Sequence, residues 1–281
     1  MIMALCALIV PAAQAKTLRV GSYNLRMHQI DKGDNAWGVR RERLKQSIAE
    51  NKFDVCGLQE VSSKVQGEID ELTGGKYGSL FFSPYHLDGK GNKACGLIYL
   101  KSRLELVESH FFWPSDTPDT VSINDPYVWK DGRKSRFSRG ALCATFKDRR
   151  SGKMFFFMVT HGCLNHETNA AFAHVYMDRE KMYNPKGLPS FFVGDFNTKP
   201  DSKASAFYRT YWKDCLLNAK KTKGPENTFN GFRLGKAPDR RIDFVYARGN
   251  VRIKKYVCND KLYGGLYASD HFPIYADIVL K

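Results

Sequence analysis

No apolar run in this 281-residue sequence is long enough to cross a bilayer; the only extended uncharged stretch, residues 2 to 15, falls short of the roughly 20 residues a transmembrane helix needs. A Pro/Ser-rich linker, a block of like charge, a fixed-period repeat and a low-complexity segment are also absent, so nothing divides the chain and one large domain is expected. Neither a GxxxxGK(S/T) loop nor a GxGxxG fingerprint occurs, which leaves nucleotide cofactors without support. The seven cysteines contain no CxxC pair, so a structural zinc site is not expected. Acidic residues are the scarcer charge, 29 Asp plus Glu against 44 Lys plus Arg, for a formal +15. Against these shortages stands 43% hydrophobic content, enough for a large core and incompatible with a disordered or fibrous chain.

Residues 2 to 15 end in Pro11-Ala12-Ala13-Gln14-Ala15, where Ala13 and Ala15 give the small-x-small pattern that signal peptidase accepts. The expectation is a signal peptide over 1–15, a mature domain over 16–281 and a secreted or periplasmic location. The missing basic n-region predicts a start codon upstream of Met1, and the bulk of Leu5 disfavours lipoprotein processing at Cys6. The mature chain keeps Cys56, Cys95, Cys143, Cys163, Cys215 and Cys258, several of them in apolar runs, and buried free thiols are expected for most.

Short β-rich runs alternate with helical patterns. Strands are expected at 18–23, 53–58, 95–100, 104–112, 141–146, 154–160, 190–193, 242–247, 251–257 and 274–280. A helix is expected over 36–50, with Trp37, Leu44 and Ile48 on one face, and another over about 167–183, with Ala171, Val175, Arg179 and Met182 on one face. No helix separates the strands between 95 and 160, which argues for two packed sheets with helices outside rather than a regularly wound βαβ sheet.

Polar residues recur at the ends of these strands: Asn24, Glu60, Thr160-His161, Asp195 and Asn197, Asp243, and Asp270-His271. Singly, each is more often a turn former or a solvated strand end. Together, four carboxylates, two amides and two histidines at one position relative to apolar strands suit Mg²⁺, a hard cation that prefers oxygen ligands. Phosphate ester hydrolysis needs such a cation, a polarised water and donors to the transition state, and these residue types supply all three.

The elements Ser22-Tyr-Asn-Leu25, Gly57-Leu-Gln-Glu-Val61, Thr160-His161, Gly194-Asp-Phe-Asn197, Arg241-Ile-Asp-Phe-Val-Tyr246 and Ser269-Asp-His-Phe-Pro273 resemble, in order and spacing, those of the endonuclease/exonuclease/phosphatase superfamily. Phe112-Trp-Pro-Ser-Asp-Thr-Pro118 followed by Arg139-Gly-Ala is further similar to a group of secreted bacterial members. The resemblance runs from Leu18 to the C-terminus. It implies an α/β fold, a four-layer α/β sandwich with two central mixed β-sheets (deoxyribonuclease-like), with the site at one end of the strands. It also implies roles: Glu60 as principal Mg²⁺ ligand (Mn²⁺ being the alternative ion), Asn24 and Asp270 completing or supporting the metal position, and Asp195 and Asn197 positioning water and binding phosphate. His271, oriented by Asp243, would be base or imidazolium, His161 would donate to a phosphoryl oxygen, and Asp195 is the alternative base. Arg139 matches a family arginine that reaches phosphate. After His161 the chain reads Gly-Cys-Leu-Asn165-His166 where the family often has TH-x-x-DH, so Asn165 and His166 are not assigned roles.

The positive excess lies in Arg40–Lys45, Lys147–Lys153, Lys220–Lys223 and Arg252–Lys255. It suits a polyanion, DNA or RNA, and a secreted nuclease is the leading expectation. A phosphodiesterase or phosphatase for a lipid headgroup, sugar or inositol phosphate is the alternative, and a non-catalytic polyanion-binding protein the third reading. The aromatics Phe111, Phe112, Trp113, Tyr127 and Trp129 precede Arg139 and would stack on bases, meet a lipid surface or cover a core edge. A monomer is the default.

Overall fold

Alternation of large apolar side chains along the strands decides the architecture, because each sheet must bury both of its faces. The structure is a computed structural model that describes residues 17–84, 94–235 and 238–281. The stretch read as a signal peptide lies outside the described residues.

In chain order the strands are β1 (Leu18–Asn24), β2 (Val55–Val61), β3 (Tyr77–Phe82), β4 (Ala94–Leu100), β5 (Leu104–Phe112), β6 (Asp125–Val128), β7 (Lys134–Phe137), β8 (Ala141–Asp148), β9 (Met154–His161), β10 (Ser190–Asp195), β11 (Lys213–Asp214), β12 (Thr222–Lys223), β13 (Asp243–Arg248), β14 (Val251–Cys258) and β15 (Ile274–Leu280). The helices are α1 (Trp37–Asn51), α2 (Ser63–Gly67), α3 (Ile69–Thr73), α4 (His166–Ala171), α5 (Ala173–Tyr183), α6 (Lys203–Tyr211) and α7 (Cys215–Asn218). One sheet has seven strands in the order β12-β14-β15-β1-β2-β4-β3, the other six in the order β11-β13-β10-β9-β8-β5, and β6–β7 forms a separate hairpin. Both large sheets are mixed: β1 runs parallel to β2 and β9 to β10, while the other neighbours in these sheets are antiparallel except β12 and β14.

Three apolar layers make this a four-layer sandwich. Val20, Val55, Phe157, Val159, Val193 and Val245 meet between the sheets. Trp37, Leu44, Ile48, Ile69 and Leu72 of the first helices cover Cys56, Leu58 and Ile98. Ala173, Val175, Tyr176, Ala204 and Tyr208 cover Phe156, Met158, Phe192 and Phe244. Period-two alternation is visible within β9 and β10, where Phe157 and Val193 face the central layer while Phe156 and Phe192 face the helices. The sheets approach closely at Gly57, where a Cβ would stand 2.5 Å from Val193 Cγ2. Among the described residues Cys56, Cys95, Cys143, Cys163, Cys215 and Cys258 are buried free thiols, and no helix is long and apolar enough to cross a membrane.

The expected second helix is two. Phe172 interrupts it, because Val175 N–H bonds Phe172 O in a tightened i−3 turn. The break rotates the buried face to Ala173, Val175, Tyr176 and Glu180, leaving Met182 exposed. Helix α6 was not anticipated, although Ser202, whose hydroxyl accepts from Ser205 N–H, is a readable N-cap. Strand β3 and the hairpin β6–β7 also escaped the sequence reading.

Candidate active site

Strand direction gathers the polar residues. The C-terminal ends of β1, β2, β9 and β10 and the N-terminal ends of β13 and β15 lie at one end of the sandwich, as the registers Asn24↔Gln59, Ser22↔Ile274, Asp195↔His161 and Asp195↔Asp243 require. Asp195 therefore stands between His161 and Asp243 within its own sheet. From the other sheet, Asn24 Nδ2 donates to Asp195 Oδ2 at 3.0 Å. Asn197 N–H donates to Asp195 Oδ1 at 2.9 Å, and Asn197 Nδ2 donates to Gly162 O.

Histidines frame the same carboxylate. His271 Nδ1 lies 2.9 Å from Asp243 Oδ2, and its Nε2 lies 3.7 Å from Asp195 Oδ2; His161 Nε2 is 3.4 Å from that same oxygen. Thr228, not anticipated, fixes the start of β13: its Oγ1 accepts from both Ile242 N–H and Asp243 N–H at 3.0 Å. Its neighbour Phe229 packs edge-on against His271.

A second acidic group lies on the seven-stranded side. Glu60 Oε2 accepts from Met27 N–H at 2.9 Å, and Asp270 Oδ2 lies 3.2 Å from Arg26 Nη1, whose guanidinium also grips Asp31. Arg26, Glu60 and Asn197 all have left-handed backbone, with φ of 59°, 58° and 49°. Such conformations are costly for Arg and Glu and persist where surrounding structure over-determines them.

Arg40 supplies much of that determination. Fully buried on α1, it donates from Nη1 to Leu25 O at 2.8 Å and Ala268 O at 3.3 Å, and from Nη2 to Arg26 O at 2.6 Å. One guanidinium thus ties the segment after Asn24 to the segment before Asp270. The sequence places it in a basic run expected to suit a polyanion, but burial takes it out of reach of one; Arg43 is likewise buried, bound to Tyr267 O and Asp34 O.

These groups line a cleft of about 280 Å³ whose walls include Glu60, Arg139, His161, Asp195, Asn197, Asp270 and His271. Asn24 and Asp243 lie behind it, bound to Asp195 and His271. Arg139 is buried at the cleft wall, its Nε held at 2.9 Å by Asp125, which also accepts from Leu164 and Asn165 N–H. Asn165 caps α4 and His166 is exposed; neither lines the cleft. Phe112 and Trp113 are core residues, whereas Trp129 reaches the cleft. A larger hollow of about 630 Å³ opens at the opposite end, but its Arg19 and Arg103 are paired with Asp277 and Asp54.

The chain matches the model of the Endonuclease/Exonuclease/phosphatase family over residues 21–271. It belongs to that family. Among solved structures it is similar to the endonuclease/exonuclease/phosphatase from Bacteroides vulgatus (26% identity, TM-score 0.83, covering 94% of this chain and 99% of that one). It also shares the fold of the Bacteroides thetaiotaomicron mannosyl-6-phosphatase Bt3783 (23%, TM-score 0.82, 93% and 99%) and, more distantly, of D. rerio TDP2 complexed with a single-strand DNA product (17%, TM-score 0.67, 94% and 99%). A comparison with curated proteins finds no match. The family's members are phosphoric ester hydrolases, and this chain is an enzyme of that class.

The family site is electrostatically tense. Burial alone would lower the His271 pKa, but Asp243, Asp195 and Asp270 outweigh it and hold the ring as imidazolium. Burial and Asp243 push Asp195 well above the usual carboxylate range, against the pull of His271 and the donors Asn197 and Asn24. Burial also raises Asp270, assisted by Glu60 and Asp31 and opposed by His271 and Arg26. Ligand atoms of Asp195, Asp243 and His271 lie within 4.8 Å of one another. In that group, however, His271 Nδ1 and Asp243 Oδ2 are already taken up with each other at 2.9 Å. On the Glu60 side the fit to a hard cation is better: Asp270 Oδ1 is buried and, among the described residues, has no hydrogen-bond partner.

Proposed function

We propose that this family member is a Mg²⁺-dependent phosphoesterase acting on a compact phosphate ester, with Glu60, Asp270 and Asn24 holding the ion and Mn²⁺ as a substitute. The bound ion would neutralise charge on the phosphoryl oxygens. Asp195, its carboxyl raised by burial, takes the proton from the attacking water at Oδ2, while Asn24 and Asn197 fix its orientation. His271, kept cationic by Asp243, and His161 stabilise the charge that develops on the phosphoryl group, and Arg139 offers its guanidinium from the cleft wall.

The observation that carries this reading is the convergence of Asn24, His161 and His271 on one oxygen of Asp195. The compact substrate is favoured over a polymer by where the charges lie. Lys147–Lys153 forms the turn between β8 and β9 and Arg252–Lys255 begins at the far end of β14, both away from the cleft end, and Arg40 and Arg43 are buried. A nuclease is the second reading, favoured by Lys220, Lys221 and Lys223, which run beside β14 towards the cleft end. A sugar phosphate has a precedent of fold in the mannosyl-6-phosphatase. The mature domain is proposed as 16–281, secreted or periplasmic after removal of 1–15. The test is a panel of DNA, RNA, sphingomyelin, sugar phosphates and inositol phosphates with Mg²⁺, with and without EDTA. Hydrolysis of a small ester that EDTA abolishes supports the proposal; full activity after exhaustive chelation contradicts it.

A further inference from the structure

The hairpin β6–β7 is anchored at its base and carries an aromatic face at its tip. Asp125, at the start of β6, is fully buried and binds Arg139 Nε and the backbone N–H groups of Leu164 and Asn165, which joins the hairpin to the segment following His161. Asn165 Nδ2 adds a bond to Pro126 O at 3.0 Å. At the tip, Trp129 N–H donates to Arg133 O and Gly132 N–H to Trp129 O, both at 2.8 Å, closing the turn. The Trp129 indole N–H is already used, donating to Ser135 Oγ at 2.8 Å, and Tyr127 packs edge-on at 5.0 Å.

The indole is therefore fixed and its one polar atom satisfied, yet it remains 36% exposed at the cleft wall. Arg133 Cζ stands 5.7 Å from the ring centroid, and what the indole still offers the cleft is the rest of its apolar surface. Phe137, at the end of β7, lines the same cleft with the Arg139 guanidinium 5.4 Å from its ring centroid, and Phe229 lines it too, beside His271 and under the Arg240 guanidinium. Apolar surface held open to water is unfavourable, and a ligand ring lying on it would recover that cost.

We propose that Trp129 and Phe137 form a wall that binds a ring carried by the alcohol part of the ester, so that the enzyme selects phosphorylated rings over acyclic phosphates. This rests on the phosphoesterase reading above. The shared chemistry is a ring with an apolar face, supplied either by a pyranose C–H face or by a nucleobase.

The test compares kcat/KM for mannose 6-phosphate, a nucleoside 5′-monophosphate and acyclic glycerol phosphate, in wild type, Trp129→Ala, Trp129→Phe and Phe137→Ala, with Mg²⁺. Wild type should prefer one of the ring esters, and Trp129→Ala should reduce that preference about tenfold, mainly through KM, with Trp129→Phe retaining most of it. Whether the sugar or the nucleotide is preferred identifies the source of the ring. A second readout needs no turnover: of the four tryptophans only Trp129 is exposed, so ring phosphates should quench intrinsic fluorescence in wild type and not in Trp129→Phe. Equal kcat/KM for ring and acyclic esters, or quenching that survives Trp129→Phe, overturns the ring wall and leaves the phosphoesterase standing. Ring-dependent quenching without hydrolysis of any of these esters would instead support the wall and contradict the compact-ester reading.

Discussion

Asn24 and Asp195 come from different sheets, and their 3.0 Å hydrogen bond crosses the central layer of the sandwich. The site exists only when the two sheets are packed together. Asn24 Nδ2 stabilises the charged form of Asp195 in surroundings that oppose it. Asn24→Ala should raise the Asp195 pKa further, moving the acid limb of the kcat/KM profile to higher pH and lowering the plateau. An unchanged profile would mean that Asp195 does not report on the limb.

Arg40 should act at a distance from the reacting atoms. Lys at that position keeps one charge but cannot fork to Leu25 O, Arg26 O and Ala268 O together. Arg40→Lys should fold with a lowered Tm and weaken Mg²⁺ half-saturation by about tenfold, as loss of support behind metal ligands commonly does. Isothermal titration with Mg²⁺ separates this from a purely structural role, which would lower Tm and leave ion affinity alone.

At the far end, Asp148 is buried and takes Arg103 Nε at 3.1 Å, Ser151 Oγ–H at 2.7 Å and Arg150 N–H. Burial alone would raise its pKa, but these partners outweigh it and hold the carboxyl below its ordinary value. A depressed carboxyl contributes stability that is present above the unfolded value of about 3.9 and is lost as pH falls through the folded one. Asp148→Asn should cost about 3 kcal/mol near neutral pH. In urea titrations the gap between wild type and variant should narrow below about pH 4.

Much of this was legible in the sequence because the informative residues sit where apolar alternation stops. Asp195 closes an apolar strand at Phe191–Val193, and Glu60 closes Val55–Leu58, so strand ends could be read directly. Arg40 was not legible: in a run with Arg41 and Arg43 nothing distinguishes a guanidinium that caps four carbonyls from one that faces water. Thr228 leaves no local pattern because its partners Ile242 and Asp243 lie 14 and 15 residues on, and the β6–β7 strands, Asp125–Val128 and Lys134–Phe137, are too short and polar to show an apolar alternation. Arg139 lines the cleft, but its buried partner Asp125 lies 14 residues earlier with no local signal.

Salt dependence separates the two substrate readings. A nuclease neutralising several phosphates should lose affinity with a log–log slope of roughly −0.9 per contact on duplex DNA. For a compact ester, KM should change only a few-fold between low and physiological salt. A steep slope that flattens when Lys220, Lys221 and Lys223 are neutralised together would favour the nuclease.

The central claim is that Asp195 takes the proton from the attacking water, and single-turnover hydrolysis by Asp195→Asn with saturating Mg²⁺ tests it most directly. With circular dichroism and Tm matching wild type, the account predicts a loss of about 10²–10⁴-fold in the chemical step. A variant that hydrolyses the ester at the wild-type rate would contradict it.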